Sequence, residues 1–139
     1  MPLIHISLRA GKPAIYRQAI FDSLYQAMRE ALDVPEDDQF MTITEHEATN
    51  FRYGSAYGIA RSADLVYIQI TVFSTRTAEQ KKALFERIAE RLGENPGIQA
   101  RVPSIPKFTN GDRTIVRNRN TSASHILLFE ENHRLASLL

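Results

Sequence analysis

The sequence predicts an α+β domain built from two tandem β-α-β units, one sheet carrying two helices on one face. Three observations predict it. Short runs of alternating apolar residues occur at 3–8 and 65–72, the period of a half-buried strand. Each run is followed by apolar residues at helical spacing, over 14–32 and from Thr77 to about Leu92. The halves also match at a constant shift of 64 residues, which carries Ile4, Ile6 and Leu8 onto Ile68, Ile70 and Val72. The same shift carries Ala19-Ile20-Phe21 and Leu24 onto Ala83-Leu84-Phe85 and Ile88. A ferredoxin-like fold shares this element order and is the alternative.

The elements follow in order. Ile4, Ile6 and Leu8 share one face of the first strand, which turns His5 to the other, and Gly11 with Pro13 breaks the chain before the helix. Ile15, Ala19, Ile20, Leu24, Met28 and Ala31 make the apolar side of helix 14–32, and Pro35 stops it. Residues 40–44 read as a second strand, and 46–64, with Gly54 and Gly58, as a loop that can hold short structure. After strand 65–72 and a turn at Ser74-Thr75-Arg76, Thr77 and Gln80 fit a capping box at the start of the second helix. Ala83, Leu84, Ile88 and Leu92 form its stripe, and Gly93, Asn95 and Pro96 end it.

The chain has 139 residues, 43% of them hydrophobic and 24% charged, a size and balance that fit one globular domain over 1–139. Its net charge of +1 hides two unlike parts. Residues 101–139 hold six basic and three acidic side chains, so a basic tail of net +3 follows a body, about 2–100, of net −2. The stretch RVPSIPKFTNGDRTIVRNRNTSAS has little periodicity and reads as irregular or extended. Its arginines lack interleaved aromatics, so nucleic acid is not an expected partner. No apolar run approaches the roughly 20 residues of a membrane helix and the first residues do not resemble a signal peptide, so a cytoplasmic location without membrane contact is expected. The absence of Cys removes disulfides and thiolate chemistry. His5, His46, His125 and His133 are too scattered for a metal motif, and no Walker A, GxGxxG or GxSxG sequence occurs, so neither metal nor cofactor is expected.

Three residues stand out for chemistry. Removal of Met1 before Pro2 leaves a secondary amine, which serves as general base or acid near neutral pH when burial and neighbouring cations lower its pKa. Met-Pro starts are common, so Pro2 alone carries little weight. Arg76, just before a helix N-terminus, offers a fork of donors beside unpaired N–H groups, a suitable carboxylate site; an ion pair with Glu79 is the plainer reading. Asp38, ahead of strand 40–44, can orient water or a carbonyl, or simply shape a turn.

In combination, Pro2-Leu3-Ile4, Val34-Pro35 with Asp38, Glu45-His46, Asn50, Gly58-Ile59, Arg61-Ser62 and Arg76-Thr77 with Glu79-Gln80-Lys81 resemble the tautomerase superfamily. The nearest likeness is to its branch related to malonate semialdehyde decarboxylase. The resemblance implies a homotrimer of chains with two β-α-β units each, acting on small 2-oxo or unsaturated carboxylic acids. It implies Pro2 as the catalytic amine, Asp38 as the water-activating or relay carboxylate, and Arg76 as the binder of the substrate carboxylate. Two departures follow. Ser74 stands where the decarboxylase pattern has a second Arg, making Ser74 the candidate substrate contact at that place. The Trp-Ser-Phe-Gly-type motif that lines the family's pocket is absent, as is any Trp. Keto–enol tautomerisation is therefore the expected activity, with a decarboxylase- or hydratase-like lyase or a catalytically impaired binding homologue as alternatives.

Overall fold

The computed structural model describes residues 2–54, 61–72, 75–100 and 123–131. Strand β1 (Leu3–Arg9) leads to helix α1 (Ala14–Leu32) and strand β2 (Phe40–His46), followed by one 3-10 turn at Ala48–Asn50. Strand β3 (Val66–Val72), helix α2 (Ala78–Glu94), and strands β4 (Ile98–Ala100) and β5 (Ala123–Glu131) complete the order. The strands form one five-stranded sheet, β2-β1-β3-β5-β4.

Alternation decides which side of the sheet is covered. Ile4, Ile6, Ile68 and Ile70 are fully buried, with Leu8 and Val72 nearly so. They join Ile20, Leu24 and Met28 of α1 and Leu84, Ile88 and Leu92 of α2 in a single core. Both helices therefore lie on the same side, as the matching apolar stripes require. The other side is open in the single chain: Leu3 and Phe40 are 51% and 47% exposed, and they face each other across β1 and β2. His5 lies on that side, its Nδ1 2.8 Å from the Thr42 hydroxyl.

β1 runs parallel to β2 and antiparallel to β3, with Ile4 opposite Ile70, Ile6 opposite Ile68 and His5 opposite Gln69. The 64-residue shift also carries His5 onto Gln69, so the local two-fold relating the halves passes between these two residues.

The second half departs from the simple tandem pattern. β4 and β3 each run antiparallel to β5, so they are parallel to one another, yet β5 lies between them. The second β-α-β unit is thus split, as in the ferredoxin-like alternative. The inserted strand comes from the region beyond residue 100, of which 123–131 is neither irregular nor peripheral. Its signal is the run Ile126-Leu127-Leu128-Phe129, continuous where a half-buried strand would alternate. Phe129 is 1% exposed and belongs to the core.

Side-chain bonds finish the helices. The Thr77 hydroxyl accepts from the Gln80 N–H and the Gln80 carbonyl from the Thr77 N–H, at 3.1 and 2.9 Å, the expected capping box. At its other end α2 runs to Glu94, so Gly93 lies inside the last turn. Gly97, at φ 93°, supplies the left-handed residue after it, and its N–H returns to Leu92 O. Between the helices, buried Ser23 donates to Asn95 O, and Glu30 receives both Arg87 and Arg91. Among the described residues no helix is long and apolar enough to cross a membrane.

Two outcomes follow from this packing. Phe129→Ala is expected to cost about 3–5 kcal/mol in urea unfolding; a loss below about 1 kcal/mol would show that β5 is not part of the folded core. The Arg91 hydrogen bond, with that of Arg87 beside it and desolvation opposing, holds the Glu30 carboxyl below its ordinary range. The folded value being the lower one, the contribution is present above the unfolded pKa and lost as pH falls through the folded one. The wild-type urea midpoint should therefore drop more on acidification than that of Glu30→Gln, by the small amount an exposed network allows. Identical pH profiles would remove the network from the account.

Candidate active site

The strand register brings the sequence-selected residues to one end of the sheet. Leu3 pairs with Phe40 and with Thr71. One step back, Pro2 lies between Gln39, which enters β2, and Val72, which ends β3. Pro2 is buried, as a strand-end amine must be if its environment is to control its proton affinity. Asp38 lies two residues before β2, and Arg76 four residues after β3, at the entrance to α2.

Asp38 is carried by the linker 33–39, which connects the end of α1 to β2. Asp33 and Asp37 are left-handed, at φ 49° and 61°, a conformation Asp tolerates better than most residues. The Asp38 N–H donates to Pro35 O at 3.1 Å and the Gln39 N–H to Asp37 O at 2.9 Å. Positive φ at the third residue of Pro35-Glu36-Asp37-Asp38 marks a type II turn. Asp38 is half-buried at its end. The plainer reading, a turn-forming acidic run, is therefore also true of this segment.

Arg76 is half-buried, and its Nη1 donates to Leu32 O at 3.0 Å. Arg29 donates to Val34 O at 2.6 Å in the same way. Two guanidinium groups thus meet carbonyls at and just past the C-terminus of α1, where the helix dipole favours cations. The Leu32 bond uses one of the five guanidinium N–H donors and links the Arg76 turn to the segment carrying Asp38. The ion pair with Glu79 considered from the sequence is not among the Arg76 contacts of the described residues. The register thus sets buried Pro2, the Asp38 carboxylate and the Arg76 guanidinium toward one end of the sheet. Ser74, Met1 and Gly58-Ile59 lie outside the described residues.

Other residues picked out by the sequence sit at the far end of the sheet. Glu45 pairs with Arg17 at 3.1 Å, and Arg61 donates to Gly54 O. Ser62 Oγ accepts from the Asp64 N–H at 3.2 Å. His46 stacks on buried Phe51 at 5.8 Å between ring centroids, and Phe51 meets Tyr67 at 5.0 Å. The Tyr67 hydroxyl donates to Arg52 O at 3.1 Å, while burial pushes its pKa up. These contacts hold the loop after β2 and do not reach the Pro2 end.

Sequence reasoning gave Tyr25 and Arg29 no part in the site, yet they hold the Asp38 linker. Their one sequence signal is a four-residue spacing on the last turns of α1.

Two family models, both described as tautomerase enzyme, match the chain, one over residues 2–57 and the other over 38–102. The probable tautomerase YusQ of Bacillus subtilis (strain 168) is 38% identical over 100 residues, 71% of this chain and 79% of that protein. FG41 malonate semialdehyde decarboxylase inhibited by 3-bromopropiolate superposes with a TM-score of 0.57 at 30% identity, covering 66% of this chain and 71% of that one. A wild-type fused 4-OT, an asymmetric trimer, gives 0.53 at 23% identity over 66% of this chain and 72% of the other, a likeness of fold.

Proposed function

Because the chain belongs to the tautomerase family, we propose that it is an enzyme whose Pro2 amine, freed by removal of Met1, interconverts keto and enol forms of small 2-oxo carboxylic acids. The neutral amine accepts a proton from one position of the substrate and returns it at the other, with no net change in composition. Arg76 holds the substrate carboxylate and lowers the energy of the enolate that develops beside it. Asp38 relays a proton or orients water, and Ser74, which stands at the second Arg of the decarboxylase pattern, supplies a neutral hydrogen bond to the substrate. The observation that carries this reading is the register of β1, which sets buried Pro2 between the Asp38 linker and the end of β3 that leads to Arg76.

The working form is a homotrimer in this reading. The exposed Leu3–Phe40 pair on the open side of the sheet is apolar surface that a second copy would cover, and the fused 4-OT of the same fold is a trimer.

The 30% identity with a malonate semialdehyde decarboxylase favours a second activity, decarboxylation of a 3-oxo acid. There a protonated Pro2 would polarise the carbonyl while the bond to the carboxylate breaks. Ser74 in place of the second Arg of the decarboxylase pattern removes a charged donor from the clamp on the substrate carboxylate, so tautomerisation is the first reading.

Intact mass is expected to show loss of Met1, and phenylenolpyruvate should be ketonised by the wild type. Pro2→Ala should slow ketonisation by about 100-fold or more, the scale of a general acid–base group. Retained Met1, or equal rates for the two proteins, would contradict the catalytic amine. Arg76→Ala should raise KM for phenylenolpyruvate about tenfold or more, the loss of a charge-assisted bond. It should also lower the melting temperature, because Leu32 O loses its donor. Unchanged KM and rate would take Arg76 out of the site.

A further inference from the structure

We propose that Tyr25 is a positioning residue for Asp38, acting by selecting the turn that presents it. This rests on the role given to Asp38 above and names what fixes that carboxylate in place. The Tyr25 hydroxyl accepts a hydrogen bond from the Asp37 N–H at 3.0 Å. That N–H belongs to the central peptide of the turn Pro35-Glu36-Asp37-Asp38, closed by the Asp38 N–H on Pro35 O.

Type I and type II turns differ chiefly by a flip of this central peptide, which reverses its N–H and moves the third residue between negative and positive φ. Asp37 holds the positive value, 61°, which a residue other than Gly adopts at a cost unless something holds it there. The Tyr25 hydroxyl receives the N–H in the direction that goes with it. Released, the peptide can flip to the type I form, relax Asp37 and change the direction in which Asp38 leaves the turn. A small displacement of a reacting group is enough to slow catalysis without loss of substrate binding.

The geometry around Tyr25 makes it a selective lever. Its ring packs against the core and anchors the hydroxyl on α1, whose last carbonyl is itself tied to Arg76. Arg29, one turn further along α1, holds Val34 O. The linker is thus gripped at its start by two arginines and at its turn by one phenol. Among the described residues, it is the phenol bond that addresses the peptide whose orientation defines the turn type.

The test uses full-length protein and ketonisation of phenylenolpyruvate. Tyr25→Phe keeps the ring and removes one oxygen. It should lower kcat about tenfold or more while KM stays within about twofold. Adding Asp37→Gly should recover most of kcat, because Gly adopts positive φ unaided and favours the type II turn without the phenol. A Tyr25→Phe rate within about twofold of wild type, alongside lost activity in Asp38→Asn, overturns the positioning role and leaves the site reading intact. A slowed Tyr25→Phe that Asp37→Gly does not rescue overturns it as well. Wild-type rates in both Pro2→Ala and Asp38→Asn overturn the site reading, and this inference with it.

Discussion

Setting Ile4 against Ile70 and Ile6 against Ile68 joins the two halves of the chain through their first strands. Because the side-chain period of a strand is two, a one-residue slip would turn the buried isoleucines to the open side and bring His5 and Gln69 into the core. Burial of these isoleucines under α1 and α2 therefore fixes the register with little latitude. Everything proposed about function depends on that register. It determines that the chain preceding β1 ends beside the exit of β3 and the entrance of β2.

The site is assembled from strand and helix ends. Pro2, Asp38 and Arg76 are far apart in sequence: Pro2 directly precedes β1, while Asp38 and Arg76 lie on two short connections, α1 to β2 and β3 to α2. The Leu32 carbonyl is shared ground: it ends α1, begins the Asp38 linker and receives Arg76. In the proposed role, an arginine that supports the scaffold while its remaining donors hold the substrate would couple binding to stability, since any change there would be felt in both. The left-handed aspartates of the linker belong to the same economy of short connections. With seven residues between α1 and β2, the chain reverses by turns that need positive φ, and side chains from α1 hold them.

The first strand and both helices were legible because local patterns describe them. Alternation at Ile4, Ile6 and Leu8, helical spacing from Ala19 to Met28 and the Thr77–Gln80 box each reflect interactions within a few residues. The duplication was readable for the same reason. Strand order was not: β5 inserts between β3 and β4 through pairings over 50 residues apart in sequence for β3, and its apolar run lacks the period that marks a half-buried strand. Pro2, Asp38 and Arg76 were identified as candidates by residue type and resemblance, whereas their convergence on one sheet end follows from register, which no single segment encodes. The bond from the Asp37 N–H to Tyr25 leaves no sequence signature, because a backbone donor carries no residue identity.

A crystal structure of the processed protein with a bound 2-oxo carboxylate tests the central claim most directly. The account predicts a free Pro2 nitrogen within hydrogen-bond reach of the substrate's reacting atoms, the carboxylate on the Arg76 guanidinium, and Asp38 facing the same cavity. A ligand seated at the His46–Phe51–Tyr67 end of the sheet, or Arg76 turned wholly to Leu32 O with the carboxylate elsewhere, would contradict it.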